Sequence, residues 1–302
     1  DRVMTGTANQ PAAEPLLRPG NTNCGGCGMS IALNVLGRAL EGRQIQMVVP
    51  ACCAIVTVGA FPCSAYGVPL VSSTFASAAA VGTGLARAAR MNGDPTRVVC
   101  WAGDGGTYDI GMAAVSAAAE RNEDLLYVCY DNEIYGNTGG QRSSATPPGA
   151  STTTTPRGKI LEKKDILGIM AAHRIPYVAS VSLAHLDDAT RKMQKALDME
   201  GFRFLHLLSP CPTGWKSEPG ESIELVRMAV ASGLFPLYEV FDGNTYRINV
   251  EPDGTDPADY FQRQRRFDDG NIDLDAARRA CFERTRRLRM LAEHGTQGQD
   301  AS

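Results

Sequence analysis

The chain has 302 residues, 43% of them hydrophobic, and a formal net charge of −3. That is enough material to bury a sizeable core in one large domain or two, and a slight acidic balance makes no demand for nucleic acid or an anionic membrane surface as partner. No apolar stretch reaches the roughly 18 residues of a membrane-spanning helix.

Residues 1–20, rich in Pro and Ala, are expected to form an arm that packs on a partner. Cys24-Gly25-Gly26-Cys27 follows, and residues 27–40 read as a helix with Ile31, Val35, Leu36, Ala39 and Leu40 on one face. Residues 46–49 read as a strand entering Cys52-Cys53, and the Ala- and Gly-rich residues 75–91 as a helix that can pack closely. Residues 98–102 are a short apolar run with Gly103-Asp104-Gly105-Gly106 at the end, the pattern of a buried parallel strand running into a glycine turn. A helix is expected over residues 110–119, then a strand over 125–130 that ends at Asp131-Asn132.

By composition alone, residues 138–157 look like a flexible linker. Beyond them, residues 177–181 read as a strand, 186–199 as a helix and 202–208 as a strand leading directly to Cys211. The composition changes from Tyr238. Residues 246–250 read as a short strand, and residues 273–294 as an Arg-rich helix with Asp273 as N-cap, facing solvent or another subunit. Alternating strands and helices predict an α/β fold, a doubly wound and mostly parallel sheet. The expected division is an N-terminal arm (1–20), a main domain (21–237) and a C-terminal extension (238–302).

Strand–turn–helix–strand connectivity brings Asp104 and Asn132 to one sheet edge, where ligands of such sheets bind. Their chemistry suits a magnesium-bound diphosphate. Magnesium is a hard cation that takes oxygen ligands in near-octahedral geometry. Asp104 offers a carboxylate, Asn132 an amide oxygen, and Ile134 a backbone carbonyl just beyond. Gly105 and Gly106 let backbone N–H groups approach the phosphate at a helix N-terminus. Either motif alone reads as an ordinary turn; the pair at two strand ends favours the metal–diphosphate reading, with two turns as the alternative.

From Gly103 to Pro156 the chain resembles the thiamine-diphosphate-binding part of the 2-oxoacid:ferredoxin oxidoreductases, above all their pyruvate branch. The residues that carry this are Gly103-Asp104-Gly105-Gly106-Thr107-Tyr108-Asp109-Ile110-Gly111 and the run from Tyr130-Asp131-Asn132-Glu133-Ile134-Tyr135-Gly136-Asn137-Thr138 to Pro147. Cys24-Gly25-Gly26-Cys27-Gly28, Phe75 with Ala78-Ala79, and Ser209-Pro210-Cys211 are similar to that family too, so the likeness spans about residues 21–215. It implies that Gly103, Asp104, Gly105, Gly106, Asn132, Ile134 and Thr138 bind the diphosphate and its magnesium. It also implies that Phe75 packs near the cofactor ring and that Asn137 lies near the reacting carbon. In the family's multi-chain members this unit is the separate β subunit. The resemblance implies that residues 138–157 form an ordered loop over the cofactor and that the glutamate activating the aminopyrimidine comes from another chain, so the complex is expected as a hetero-oligomer, doubled by symmetry.

Nine cysteines fall at 24, 27, 52, 53, 63, 100, 129, 211 and 281. With no signal-peptide pattern and several cysteines in apolar runs, a reduced cytoplasmic setting is expected rather than a disulfide framework. Cys100 and Cys129 read as core. Cys24 and Cys27, joined by Cys211 between Pro210 and Pro212, read as metal thiolates. By count, four thiolates suit zinc or a [4Fe–4S] cluster equally; the adjoining thiamine chemistry needs an electron acceptor, which zinc is not. Counting from Cys27 favours Cys52 as the remaining ligand, whereas alignment of the following segment favours Cys53, the preferred choice. The chain departs from the family at Cys52, Ile55, Ala76-Ser77 and Gly136.

The resemblance thus implies an enzyme that oxidatively decarboxylates a small 2-oxoacid, pyruvate first and oxalate as the alternative, with electrons passing to ferredoxin and with coenzyme A as possible acyl acceptor. The rival readings are a non-redox thiamine decarboxylase, which needs no cysteine cluster, and a non-catalytic iron–sulfur electron-transfer subunit. None of His173, His185, His206 and His294 forms an evident ligand set, and His206 reads as a core residue.

Overall fold

The computed structural model describes residues 15–297 apart from 61, 63, 269 and 271. Most of the expected N-terminal arm, and Cys63, lie outside them. In chain order the elements are α1 (Gly28–Ala39), β1 (Ile45–Pro50), α2 (Cys53–Thr57), β2 (Leu70–Ser73), α3 (Ala78–Met91), β3 (Arg97–Gly103) and α4 (Met112–Glu120). They continue with β4 (Leu125–Asp131), α5 (Ile166–Ala172), β5 (Tyr177–Ser182), α6 (Leu186–Asp198), β6 (Phe202–Leu208) and α7 (Pro212–Trp215). The last are α8 (Ser222–Ala231), β7 (Leu237–Phe241), β8 (Thr245–Val250), α9 (Pro257–Gln262) and α10 (Leu274–Gln297).

The strands form one eight-stranded sheet in the order β2-β1-β3-β4-β6-β5-β7-β8. All pairings from β2 to β5 are parallel; β7 and β8 join antiparallel. The α/β, mostly parallel reading therefore holds. Residues 238–250 are hydrogen-bonded into the same sheet as the main domain.

Alternate residues of the central strands face opposite layers, as the period of a strand dictates. Val99, Trp101, Leu126 and Val128 point towards α1 and α6, whereas Val98, Cys100, Tyr127 and Cys129 point towards α3, α4 and α5. Because both faces are covered, these strands read as unbroken apolar runs. A third cluster gathers Trp215 with α8, α9 and Phe267.

Some boundaries shift. The buried stripe of α1 runs through Met29, Ala32, Leu33 and Leu36 as well as Val35 and Ala39, with the expected Ile31 and Leu40 at its margin. The helix expected from Phe75 starts at Ala78, because Thr74 to Ser77 make a turn closed by Ser77 N–H donating to Thr74 O at 3.0 Å. The helix expected from Ile110 starts at Met112, and Gly105–Ile110 form a π-helical turn before it. Asp273 does cap α10, its Oδ1 accepting from Ala276 N–H at 2.9 Å.

No helix among the described residues is long and apolar enough to cross a membrane.

Candidate active site

The chain runs from β1 outwards to β2, then returns to place β3 on the other side of β1. The strand order reverses between β1 and β3, and a crevice at the carboxyl ends of such strands is where doubly wound sheets bind ligands. Here β1 ends in Ala51-Cys52-Cys53, β3 in Gly103-Asp104-Gly105, and β4 in Asp131-Asn132. All three ends open on a cavity of about 720 Å³ that also takes in Phe75, Asn137, Thr138 and Arg142.

Within it, Asp104 is 2% exposed. Its Oδ2 accepts a hydrogen bond from Ser143 Oγ at 2.5 Å. The Asn132 side chain sets an amide heteroatom 2.9 Å from Asp104 Oδ1 and 2.8 Å from the Ile134 carbonyl oxygen. With nitrogen inward the amide donates to both; with oxygen inward, three oxygens share one point. Cis ligands of an octahedron with metal–oxygen distances of 2.0–2.1 Å stand about 2.9 Å apart, so the oxygen-inward orientation matches the cation's demand. Burial and the nearby Asp131 carboxylate push the Asp104 carboxyl well above the usual range. A buried acid in that position gains most from a cation.

The glycines keep their places for steric reasons. A Cβ on Gly105 would lie 1.8 Å from the Tyr135 ring. That ring packs edge-on to Phe75 with centroids 6.0 Å apart, and its hydroxyl donates to Asp109 Oδ2 at 2.5 Å. Burial raises the Asp109 carboxyl, but hydrogen bonds from Ser144 and Tyr135, with Lys164 nearby, hold it below its ordinary value. The expected loop over residues 138–157 is tied down: Thr153 N–H donates to Gly140 O at 3.0 Å, and Thr138 and Gln141 exchange hydrogen bonds of 2.5 and 2.6 Å.

A second, smaller cavity of about 80 Å³ adjoins the first. Cys24, Cys27, Cys53 and Cys211 all line it; Cys52 does not. Cys52 is the extended residue before α2 and Cys53 the first residue within it, so their side chains diverge. The Cys52 thiol turns to the Tyr130 hydroxyl and the backbone of Ala54, Ile55 and Gly103, which leaves burial to raise it. Burial and the neighbouring thiols push Cys53 up to about 12. They push Cys27 up to about 11, against a lowering hydrogen bond from the Met29 backbone. Such thiols need a bound cationic centre to ionise. No three His, Cys, Asp or Glu side chains among the described residues gather closely enough for a single ion.

Gly28 seats the Cys24–Cys27 turn against the segment holding Cys211. Its N–H donates to Pro210 O at 3.1 Å, and a Cβ there would lie 2.5 Å from Pro210 Cδ. The two cavities share Cys53, Tyr130, Asn132 and Asn137 as a wall. Cys100 and Cys129 are fully buried in the sheet, as expected. His206 lies in the core too, its Nε2 2.7 Å from Asp131 Oδ2 and 2.9 Å from Tyr108 Oη. Sequence reasoning gave no individual role to Ser143, Tyr135 or Trp215, whose indole N–H donates to Asn132 O at 2.9 Å. Only their spatial neighbours give them a role.

Similarity to known proteins identifies the family and the fold. A family model described as thiamine pyrophosphate enzyme, C-terminal TPP binding domain, matches residues 56–207. Ketoisovalerate oxidoreductase subunit VorB of Pyrococcus horikoshii is 42% identical over 289 residues, covering 91% of this chain and 92% of that protein. Pyruvate synthase subunit PorB of Methanothermobacter marburgensis is 41% identical over 261 residues, covering 84% and 90%. Among solved structures, 2-oxoglutarate:ferredoxin oxidoreductase from Magnetococcus marinus, with 2-oxoglutarate, coenzyme A and succinyl-CoA bound, superposes with a TM-score of 0.61 at 23% identity, over 82% of this chain and 89% of that chain. That last likeness speaks to the fold. The chain belongs to the thiamine diphosphate-binding subunits of the 2-oxoacid:ferredoxin oxidoreductases.

Proposed function

We propose that this subunit, within a cytoplasmic hetero-oligomer, serves the oxidative decarboxylation of a small 2-oxoacid, pyruvate first, and passes the electrons through a [4Fe–4S] cluster to ferredoxin. The observation that carries the reading is the adjacency of two differently built cavities. One has the Asp104 carboxylate, the Asn132 amide and the Ile134 carbonyl converging; the other has four thiols, and Cys53 and Asn137 stand between them.

In this reading Asp104, Asn132 and Ile134 hold magnesium, with Gly103, Gly105, Gly106 and Thr138 about the diphosphate. Bound thiamine diphosphate supplies the carbon nucleophile and electron sink that 2-oxoacid cleavage requires. An iron–sulfur cluster on Cys24, Cys27, Cys53 and Cys211 supplies the acceptor. Ser143 fixes the Asp104 carboxylate so that its other oxygen faces the cavity. Phe75, braced by Tyr135, offers an apolar wall to the cofactor ring. Asn137 presents its amide to the same space, where it can orient a polar group at the reacting end. The activating glutamate comes from a partner subunit, since Asp109 is engaged by Tyr135 and Ser144, and Glu133 by Lys163 and Arg266.

Pyruvate is preferred because residues 137–155 resemble that branch. A branched 2-oxoacid is the second reading, favoured by the 42% identity to a ketoisovalerate oxidoreductase subunit. The test is reduction of a low-potential dye by the purified complex on pyruvate, 2-oxoisovalerate and oxalate, each with and without coenzyme A. Coenzyme A-dependent reduction with the highest kcat/KM on pyruvate is expected. A higher value on 2-oxoisovalerate selects the second reading, coenzyme A-independent turnover of oxalate overturns both, and a complex with thiamine but no iron overturns the electron path.

A further inference from the structure

Glu133 stands between Asn132 and Ile134, and its φ of 63° lies in the left-handed region. A non-glycine residue persists there only where its surroundings over-determine it. Here the surroundings are a set of buried and half-buried charges drawn from distant parts of the chain. Glu133 Oε1 accepts from Lys163 Nζ at 2.9 Å, and Oε2 from Arg266 Nη2 at 2.6 Å. Lys163 also pairs with Asp131 Oδ2 at 2.6 Å. The Glu133 backbone is held as well, its N–H donating to Asp131 Oδ1 at 2.9 Å and its carbonyl accepting from Thr146 Oγ1 at 2.7 Å.

Arg266 is 2% exposed. Its Nε donates to Gln264 Oε1 at 2.9 Å, and its guanidinium lies over the Trp215 ring at 4.6 Å. That indole in turn donates to the Asn132 carbonyl. Arg266 therefore grips the loop twice, through the Glu133 carboxylate and through Trp215. The left-handed turn it holds folds the chain back at Glu133, and the Ile134 carbonyl comes within 2.8 Å of the Asn132 side chain.

We propose that Arg266, seconded by Lys163, is a positioning residue for the metal–diphosphate site: its pairing with Glu133 holds the turn that brings the Asn132 side chain and the Ile134 carbonyl to one point. The inference rests on the assignment of Asp104, Asn132 and Ile134 as magnesium ligands.

The test uses the whole hetero-oligomer, stripped of magnesium and cofactor with a chelator, and titrates magnesium at saturating thiamine diphosphate while bound cofactor and iron content are measured. Arg266→Met should raise the half-saturating magnesium concentration by ~10–100-fold, the range for losing a group that supports a metal ligand, with iron content unchanged. Adding Glu133→Gly to Arg266→Met should recover most of that loss, since glycine takes the left-handed turn freely and no carboxylate is left buried with only one of its two cationic partners. A merely structural ion pair would show no such rescue.

Wild-type magnesium dependence in Arg266→Met, or a double variant no better than the single, overturns the inference. If Arg266→Met does not assemble, Glu133→Gly against Glu133→Ala decides: tighter magnesium binding by the glycine variant supports the clamp, and equal binding overturns it. Asp104→Asn, measured in parallel, separates the two levels. If it too keeps wild-type magnesium dependence, the ligand assignment fails and takes the clamp with it; if it loses magnesium while Arg266→Met does not, only the clamp fails.

Discussion

Cys53 Sγ lies 3.2 Å from Asn137 Oδ1, its thiol donating to that oxygen, and the pair closes the wall between the cofactor cavity and the cysteine cavity. The contact spans 84 residues of sequence. It joins a group at the head of α2 to one in the loop after β4, and places a candidate cluster ligand against the residue expected nearest the reacting carbon.

Asn137 should therefore matter to turnover more than to assembly. Asn137→Ala is expected to lower kcat by ~10²–10³, the usual cost of removing one preorganised polar group at a reacting centre, while thiamine diphosphate and iron contents stay near wild type. Coupled kinetics and cofactor analysis on the same preparation check this; loss of bound cofactor in parallel with kcat would instead make Asn137 a binding residue.

Asp104→Asn removes the charge from the oxygen set. Magnesium-dependent retention of thiamine diphosphate should fall by more than the ~100-fold upper range for losing a supporting partner, with iron retained because the thiols occupy a separate cavity. Thiamine assay and iron determination after desalting give the readout. Full cofactor occupancy in the variant would sink the assignment.

The two adjacent cysteines should behave differently. Cys53→Ser is expected to deplete iron and sulfide, as are Cys24→Ser, Cys27→Ser and Cys211→Ser, whereas Cys52→Ser keeps them, because Cys52 faces Tyr130 and the backbone. Equal iron contents at 52 and 53, or the reverse order, contradict the geometry.

Gly28→Ala tests the seating of the cysteine turn. Its Cβ would meet Pro210 Cδ at 2.5 Å and Ser209 Oγ at 2.8 Å. Overpacking of this kind costs about 1–3 kcal/mol, here by parting Cys24 and Cys27 from Cys211. A lowered melting temperature together with reduced iron content is expected; a variant with unchanged iron shows that the turn can shift without disturbing the thiols.

The subunit by itself should not turn over. The carboxylates beside the metal motif are engaged, Asp131 by Lys163 and His206, Asp109 by Tyr135 and Ser144, and Glu133 by Lys163 and Arg266. None of them is free to activate an aminopyrimidine. Dye reduction by the isolated chain at the rate of the whole complex would falsify the shared site; restoration of activity on adding the partner subunits is the expected outcome.

Much of this was legible in the residues. Strands β3, β4, β5 and β6 are buried on both faces, so each is a largely apolar run with a distinctive end, although Ser180 interrupts β5 and Arg203 and His206 interrupt β6. Asp104 and Asn132 sit at two of those ends, where oxygen donors have no structural reason to be buried. The half-exposed edge strand β2 carries no such run, and α5 is short, so they escaped notice although Asp165 caps α5 by accepting from Gly168 N–H at 2.9 Å. The glycine-rich segment after Asn137 has the composition of a linker, yet folds into an ordered loop because its backbone bonds close on themselves and on Arg266, whose carbonyl accepts from Ser151 N–H at 2.7 Å.

Local pattern pointed to the layers and, together with the family resemblance, to the Asp104–Asn132 pair and to Cys24, Cys27 and Cys211 as candidates, since these rest on residue type and its immediate sequence setting. Tertiary packing set Cys53, which alignment with the family favoured, on the cysteine cavity and turned Cys52, which counting from Cys27 favoured, away from it, because a helix begins between them. It alone brought in Arg266, which lies 133 residues from Glu133 and carries no motif of its own. A buried charge is assigned its work by the partner it meets, and that partner is a property of the folded chain.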